Sequence, residues 1–438
     1  MVNVLVLGNG AREHVIAETL KRSARPVSLS VFGSAKNPGL MALADHYEVG
    51  SVTDFDALAP FIDRVQPDFV IPGPEAPIAA GVADWLEARG IPCVGPKQTV
   101  ARLESSKSFT RNLLEKYTIP GNPKYRVFTS SDGLADYMNN DLEGQFVVKA
   151  DGLKGGKGVK VVGDHLADVD EGVAYATECI EDAGHVVIEE KFIGQEFSLM
   201  SFADGSNIAD MIPAQDHKRA YEGDKGPNTG GMGTYSDANH LLPFLKDGDI
   251  EAAHQITEQV LTALQAETGT PFVGVMYGGF IVTKHGVRLI EYNARFGDPE
   301  VMNCLALLET DFVDVCEAMI NGTLDELTLE FSPKASVCKY VVPEGYPTNS
   351  VKNERVEVGA LPDNVKAYYA SVDGREDGLY LCGSRAIAML GMGDTLEEAE
   401  QAAQAACEAV SGPVFYRKDI GTAALLNERV QMMNELRG

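Results

Sequence analysis

Strand-like apolar runs alternate with helical patterns through the first hundred residues, and few folds accept that alternation. Strands are expected at residues 3–7, 27–32, 47–49, 69–71 and 92–94, with helices between them at about 12–23, 55–66 and 77–89. Repeated strand–helix units of this kind build a parallel, doubly wound sheet. Such sheets bind ligands beyond the C-terminal ends of their strands, and two loops there are unusual: Gly8-Asn9-Gly10-Ala11-Arg12-Glu13-His14 and Pro72-Gly73-Pro74-Glu75-Ala76-Pro77. The first begins like a dinucleotide fingerprint, G-x-G-x-x-G. Glu13 stands in the third glycine place, and Phe32-Gly33-Ser34 ends the second strand without an acid. A nicotinamide oxidoreductase is therefore disfavoured. A phosphate held at the helix start and a plain tight turn remain the two readings of this loop.

A chain of 438 residues calls for several domains. No apolar run approaches the roughly 20 residues of a membrane helix, and the N-terminus enters a strand without a basic region or cleavage site, so no signal peptide is expected. The seven cysteines form no CxxC pair, which points to reduced thiols in a cytoplasmic protein. A net charge of −27 argues against nucleic-acid or anionic-membrane partners. If the ligands are anions, basic residues must be focused in clefts.

Further along, a helix is expected over 104–117, then a strand over 145–150, a glycine-rich loop over 151–158 and a strand over 159–162. No Ser or Thr follows Lys157 and strands flank the loop, so it is not a Walker A loop. A glycine hairpin carrying Lys154 and Lys157, with Lys149 just before it, suits a lid over polyphosphate. A helix at about 167–182 precedes an apolar strand that leaves into Gly194-Gln195-Glu196. Gln215-Asp216-His217-Lys218-Arg219 and the glycine-rich 226–233 read as loops, and long polar glycine loops in a compact domain are usually functional or disordered. After a helix at 251–268 comes a hairpin, 280–282 and 287–292, turning at Lys284-His285-Gly286. Side chains two apart share a strand face, so Glu291 and Asn293 point together, and Arg295 joins them if the strand continues. Two oxygen ligands and a guanidinium suit a hard cation carrying phosphate; a polar hairpin end fits the same residues. Asp298 is placed to cap a helix over 299–320 with Pro299 at its first position. The rest reads as a smaller α+β unit, with strands at 336–342 and 386–390, helices at 395–410 and 422–436, and a basic turn at 416–419.

Together these segments resemble the glycinamide ribonucleotide synthetases (phosphoribosylamine–glycine ligases) of the ATP-grasp superfamily. The match rests on the Gly8–His14 loop, Gly73-Pro74-Glu75-Ala76-Pro77, Lys149-Ala150-Asp151-Gly152-Leu153, Gly155-Gly156-Lys157-Gly158, Gln215–Arg219, 226–233, Arg295-Phe296-Gly297-Asp298-Pro299-Glu300 and Arg417-Lys418-Asp419-Ile420-Gly421, in the family's order over essentially the whole chain.

The resemblance implies a multidomain α/β and α+β protein: an N-terminal Rossmann-like parallel sheet (1–122), an ATP-lid subdomain (123–193), a central ATP-grasp domain (194–328) and a small C-terminal α+β domain (329–438). It implies an ATP-dependent ligase of purine biosynthesis that joins glycine to 5-phosphoribosylamine through glycyl phosphate, with Mg2+ or Mn2+, small-molecule partners only, and a monomeric state. Glu291 and Asn293 match the metal ligands. Lys107, Lys149 and the lid residues Gly155, Gly156, Lys157 and Gly158 match the ATP phosphate site, Glu189, Glu190, Lys191, Phe192 and Ile193 the adenine hinge, and Glu196 the ribose contact. Gly8, Gly10, Arg12, Glu13, His14, Gly73, Pro74 and Glu75 would line the ribosylamine phosphate pocket, with Asn228, Thr229, Gly230, Gly231 and Asp298 closing the shared cavity. Arg295, Asp216 and Lys218 would serve catalysis, and Asp298 or Asp216 the glycine ammonium. Ala11 replaces a usual glycine, Lys154 a usual small residue, and Lys191 leaves the hinge contacts open.

Overall fold

The computed structural model describes residues 1–154 and 158–438; Gly155, Gly156 and Lys157, expected in the phosphate lid, lie outside the described residues. The N-terminal sheet has the order β3-β2-β1-β4, from β1 (Val2–Leu7), β2 (Val27–Gly33), β3 (His46–Val49) and β4 (Phe69–Pro72), all parallel. Val4, Leu5, Val6 and Leu7 are all buried, as a strand covered by helices on both faces requires. The fifth strand expected at 92–94 is a single parallel bridge, Val70 to Cys93, since Pro92 has no N–H to extend the ladder. The helix expected over 77–89 is two, Glu75–Ala79 and Val82–Glu87, parted at Gly81, whose φ of 88° is left-handed. The helix expected over 104–117 is likewise split into Gln98–Ser105 and Lys107–Lys116. Ser106 caps the second by accepting from Phe109 N–H.

A second sheet runs β5-β8-β6-β7, from β5 (Tyr125–Phe128), β6 (Phe146–Ala150), β7 (Val159–Val161) and β8 (Val186–Glu190). It encloses its own core, with Phe128, Tyr137, Met138 and Phe146 among the members. A third has the order β10-β9-β15-β16: β9 (Gly194–Asp204), β10 (Ile208–Asp210), β15 (Val273–Thr283) and β16 (Gly286–Asn293).

The stretches read as loops at 215–233 are partly stranded. They form β11 (Gln215–Asp216), a small hairpin of β12 (Arg219–Tyr221) and β13 (Lys225–Asn228), and β14 (Gly233–Ser236). Strand β14 pairs with β17 (Ala335–Pro343), so the mid-chain segment and the C-terminal region share one sheet. That sheet continues through a strand at Ile387–Gly393 to one at Val365–Tyr369. Asp298 does not cap the following helix, which starts at Glu300 and stops at Leu307; a second helix, Phe312–Asn321, is capped by Asp311. Asp298 is held instead by Tyr340 and Arg385, described below. All seven cysteines are free thiols, and among the described residues no helix is long and apolar enough to cross a membrane.

Candidate active site

The hairpin β15–β16 sets the centre of the site. Its register places Glu291 opposite Gly279 and Asn293 opposite Tyr277, and strand alternation puts the Glu291 and Asn293 side chains on one face. The strand ends at Asn293 and does not reach Arg295. Arg295 still folds back: its guanidinium lies 3.3 Å from Asn293 Oδ1 and 3.2 Å from Glu104 Oε1. Among the described residues the buried Nε of Arg295 has no hydrogen-bond partner. Burial pushes the Glu291 carboxyl up, but Lys218, Lys149, Lys107 and Arg295 outweigh it and the net shift is down. Four cations around one carboxylate form the local focus that an anionic ligand needs in a chain of net charge −27.

Each lysine is fixed by a different element. Lys149, on β6, donates to Ile290 O at 2.8 Å and lies 2.8 Å from Glu189 Oε2. Glu189 also accepts from Arg111 Nε at 2.6 Å, and Arg111 reaches the carbonyls of Leu289 and Ile290. The Glu189 side chain, expected at the adenine hinge, is thus the buried counter-ion of Arg111 and Lys149. Lys107 opens a helix, with its N–H on Asp151 Oδ1 at 2.5 Å and its Nζ on Gly152 O at 3.0 Å; Asp151 ties the start of the glycine-rich loop to that helix. Lys154 pairs with Asp182 at 2.5 Å. In the segment expected as the adenine hinge, Glu190 accepts from Lys124 N–H at 2.7 Å, Lys191 donates from Nζ to Val162 O at 2.8 Å, and Ile193 is exposed.

Glu196, Ser198, Asp216, Lys218, Tyr277 and Glu291 line one cleft. Lys218 sits 3.1 Å from Glu196, and the charges of Glu196, Glu291 and Asp216 hold its ammonium protonated. Beneath them the buried Glu300 accepts from Ser198 Oγ at 2.9 Å and from the Tyr277 hydroxyl. Burial and the nearby charge of Glu300 push the Asp216 carboxyl well above the usual range, against Lys218 and Arg385. A carboxyl in that state becomes a good anion once a cation arrives beside it.

The N-terminal loops meet this centre from the other side. Gly8, at φ 116°, and Gly73 leave room that the Glu13 side chain fills: a Cβ on Gly8 would lie 2.7 Å from Glu13 Cδ, and one on Gly73 2.0 Å from Oε1. Glu13 bonds back to Gly10 N–H at 2.5 Å and accepts from Arg12 Nε at 2.7 Å. It therefore clamps both loops rather than presenting its charge to a ligand, which explains why a third glycine is not needed. Arg12 reaches Phe296 O at 3.4 Å. Glu75, beyond Pro74, lies 3.9 Å from Arg295. His14, expected to line the ribosylamine phosphate pocket, has its ring buried against Gly39, stacked on Tyr369 and accepting from Tyr369 N–H at 3.0 Å through Nδ1. Burial lowers its pKa to about 4, so it carries no charge for a phosphate at neutral pH.

The mid-chain loop is held by the C-terminal region. Thr229 bonds to Lys218 O through its N–H at 2.7 Å and its hydroxyl at 2.9 Å, and Asn228 pairs with Arg219 in the small hairpin. Arg417 is fully buried between Asp224 at 2.8 Å and Asp419 at 2.6 Å. Arg385 donates to Gly230 O at 2.6 Å and Gly231 O at 3.0 Å, and pairs with Asp298 at 3.1 Å. Asp298 also accepts from the Tyr340 hydroxyl at 2.7 Å, so both its oxygens are engaged. Sequence reasoning assigned no role to Arg111, Glu104, Tyr277, Glu300 or Arg385. Glu300 alone carried a local signal, as the acid closing the Arg295–Glu300 motif.

Comparison with known proteins agrees over the whole length. Models of the phosphoribosylglycinamide synthetase N domain, ATP-grasp (A) domain and C domain match residues 2–104, 105–301 and 336–423. The chain is 48% identical over 437 residues to a phosphoribosylamine–glycine ligase of Methanosarcina acetivorans, covering 100% of this chain and 98% of the relative. The crystal structure of phosphoribosylamine–glycine ligase from Thermotoga maritima superposes with a TM-score of 0.80 at 26% identity, over 95% of this chain and 100% of that one. The fold also extends to the biotin carboxylase domain of Hydrogenobacter thermophilus 2-oxoglutarate carboxylase, solved with ADP, magnesium and bicarbonate, at a TM-score of 0.69 and 14% identity over 99% of this chain and 93% of that domain.

Proposed function

We propose, from the premise that the chain belongs to the phosphoribosylglycinamide synthetase family, how its own residues perform the family's reaction. It is an ATP-dependent carboxylate–amine ligase that joins glycine to 5-phosphoribosylamine in purine biosynthesis, giving glycinamide ribonucleotide, ADP and phosphate. The observation that carries the residue assignments is the single cleft holding Glu291, Lys218 and Asp216 together.

A carboxylate is a poor electrophile, so glycine must be activated before an amine can displace anything from it. One oxygen of the glycine carboxylate attacks the γ-phosphorus of ATP, ADP leaves, and glycyl phosphate forms. The amine nitrogen of phosphoribosylamine then attacks the carbonyl carbon, phosphate leaves and the nitrogen loses its proton. No enzyme nucleophile takes part; the protein positions the reactants and stabilises charge.

Glu291 and Asn293 fit a Mg2+ or Mn2+ ion by chemistry: both offer oxygen to one face of β16, and nucleotide oxygens would complete the set. Such an ion neutralises phosphate charge when bound. Lys107 and Lys149 would contact the polyphosphate, and Arg295, with its unpartnered Nε, the transferring phosphoryl group. Leu153 and Ile193, two of the exposed large apolar side chains, suit the faces of a purine at the hinge, with Glu196 near the ribose. Asp216 holds the glycine ammonium, because Asp298 is already engaged by Tyr340 and Arg385. Arg12 would meet the phosphate of phosphoribosylamine, while the N–H groups of Gly8, Gly10 and Gly73 are taken by Phe32 O, Glu13 and Leu7 O and shape the loops around it. We place the reaction in the cytoplasm, as suits a biosynthetic ligase whose seven cysteines are free thiols, and on a single chain.

The test is ADP release with ATP, glycine and freshly prepared phosphoribosylamine. Release that requires both glycine and the amine is expected; ADP formed with another acceptor and not with phosphoribosylamine would reject the substrate assignment.

A further inference from the structure

The C-terminal region sends one charged side chain into the junction of the two loops that flank Asp216. The Arg385 guanidinium donates through Nη1 to the carbonyls of Gly230, Gly231 and Asp298, at 2.6, 3.0 and 3.1 Å, and pairs through Nη2 with the Asp298 carboxylate at 3.1 Å. It lies over the Tyr340 ring, 4.4 Å from its centroid, and the Tyr340 hydroxyl donates to the same carboxylate at 2.7 Å. The planar fork puts the three carbonyls on one nitrogen and the carboxylate on the other.

Gly231 transmits this grip. It has a left-handed φ of 107°, and a Cβ there would lie 2.5 Å from Pro299 Cδ and 2.7 Å from Asp216 Oδ1. The Gly231 backbone therefore forms a wall of the space beside Asp216; Arg385 holds its carbonyl side, and its N–H donates to Thr229 Oγ1 at 3.0 Å. We propose that Arg385 is a positioning residue for glycine: it fixes the 230–231 backbone and the Asp298 turn against Asp216, so that the ammonium pocket is preformed and narrow. This rests on the assignment of the glycine ammonium to Asp216. Arg385 touches neither nucleotide nor reacting atoms in this scheme; its influence runs through Gly231.

The experiment uses the full-length chain with Arg385→Lys, Arg385→Met and Tyr340→Phe, varying glycine, ATP and phosphoribosylamine in turn. In both Arg385 variants the KM for glycine is expected to rise by roughly tenfold or more while the KM for ATP stays within about twofold. Lysine does not rescue, because one ammonium cannot replace the fork. Tyr340→Phe gives a smaller rise in the same constant and stands in if an Arg385 variant fails to fold. An unchanged glycine KM, or equal rises for glycine and ATP, would overturn the proposal by reducing Arg385 to a general support. Asp216→Asn separates this from the parent assignment: if its glycine KM is unchanged, the ammonium assignment fails and this inference with it. If only the Arg385 variants leave the glycine KM unchanged, the ammonium assignment stands alone.

Discussion

The Lys149 ammonium lies 2.8 Å from the Glu189 carboxylate, and Arg111 holds both oxygens of that same carboxylate, at 2.6 and 2.9 Å. Burial lowers the Lys149 pKa and Glu189 opposes that fall, so this carboxylate favours the charged form of a lysine proposed to contact phosphate. The triad also joins three regions: Arg111 lies on the helix begun by Lys107, Glu189 on β8, and both cations donate to the backbone just before Glu291.

Glu189→Gln is therefore expected to leave two buried cations without their anion. Removing one partner of a buried pair costs about 3–5 kcal/mol, so the melting temperature should fall. The KM for ATP should also rise by roughly tenfold as Lys149 loses charge. Calorimetry and ATP titration of initial rates measure the two effects. A variant with unchanged ATP KM would show that Lys149 does not need its counter-ion.

Asp216→Asn removes the carboxyl that becomes an anion beside the glycine ammonium, without removing volume. The expected result is a rise in glycine KM of roughly a hundredfold, comparable to losing a charged hydrogen bond of about 1.5–3 kcal/mol, with MgATP binding retained. Isothermal titration with the nucleotide and glycine-dependent kinetics separate these.

Stability should fall on acidification through two buried histidines. His14 and His217 are both lowered to about 4 by burial, with Arg417 adding to the effect at His217. The unfolded chain takes up these protons near pH 6.5 and the folded chain near 4. Their contribution is thus full above about 6.5 and is lost as pH falls through that window. Melting temperature followed from pH 7 to 4.5 should decline. His14→Asn and His217→Asn, which keep the Nδ1 position, should flatten the decline; equal slopes in the variants would contradict the assignment.

The parts of the site that were legible in the sequence are those fixed locally. Strand alternation put Glu291 and Asn293 on one face, and the doubly wound pattern put the Gly8 and Gly73 loops at strand ends. What was illegible depends on partners far along the chain. Asp298 looks like a helix cap until Tyr340 and Arg385 claim its oxygens. Glu13 and His14 sit in a loop that reads as a phosphate site, yet one clamps the two glycine loops and the other packs against Tyr369. The helices expected over 104–117 and 299–320 are broken where Ser106 and Asp311 cap a new start, which apolar periodicity alone does not register.

The most direct measurement is the turnover of Glu291→Gln with saturating ATP, glycine, phosphoribosylamine and magnesium, beside a circular dichroism spectrum. The substitution preserves shape and removes the one carboxylate at the centre of Lys107, Lys149, Lys218 and Arg295. A loss in kcat of roughly a hundredfold or more with an unchanged spectrum is predicted. A kcat near that of the unaltered chain at saturating magnesium would contradict the placement of the metal–phosphate site.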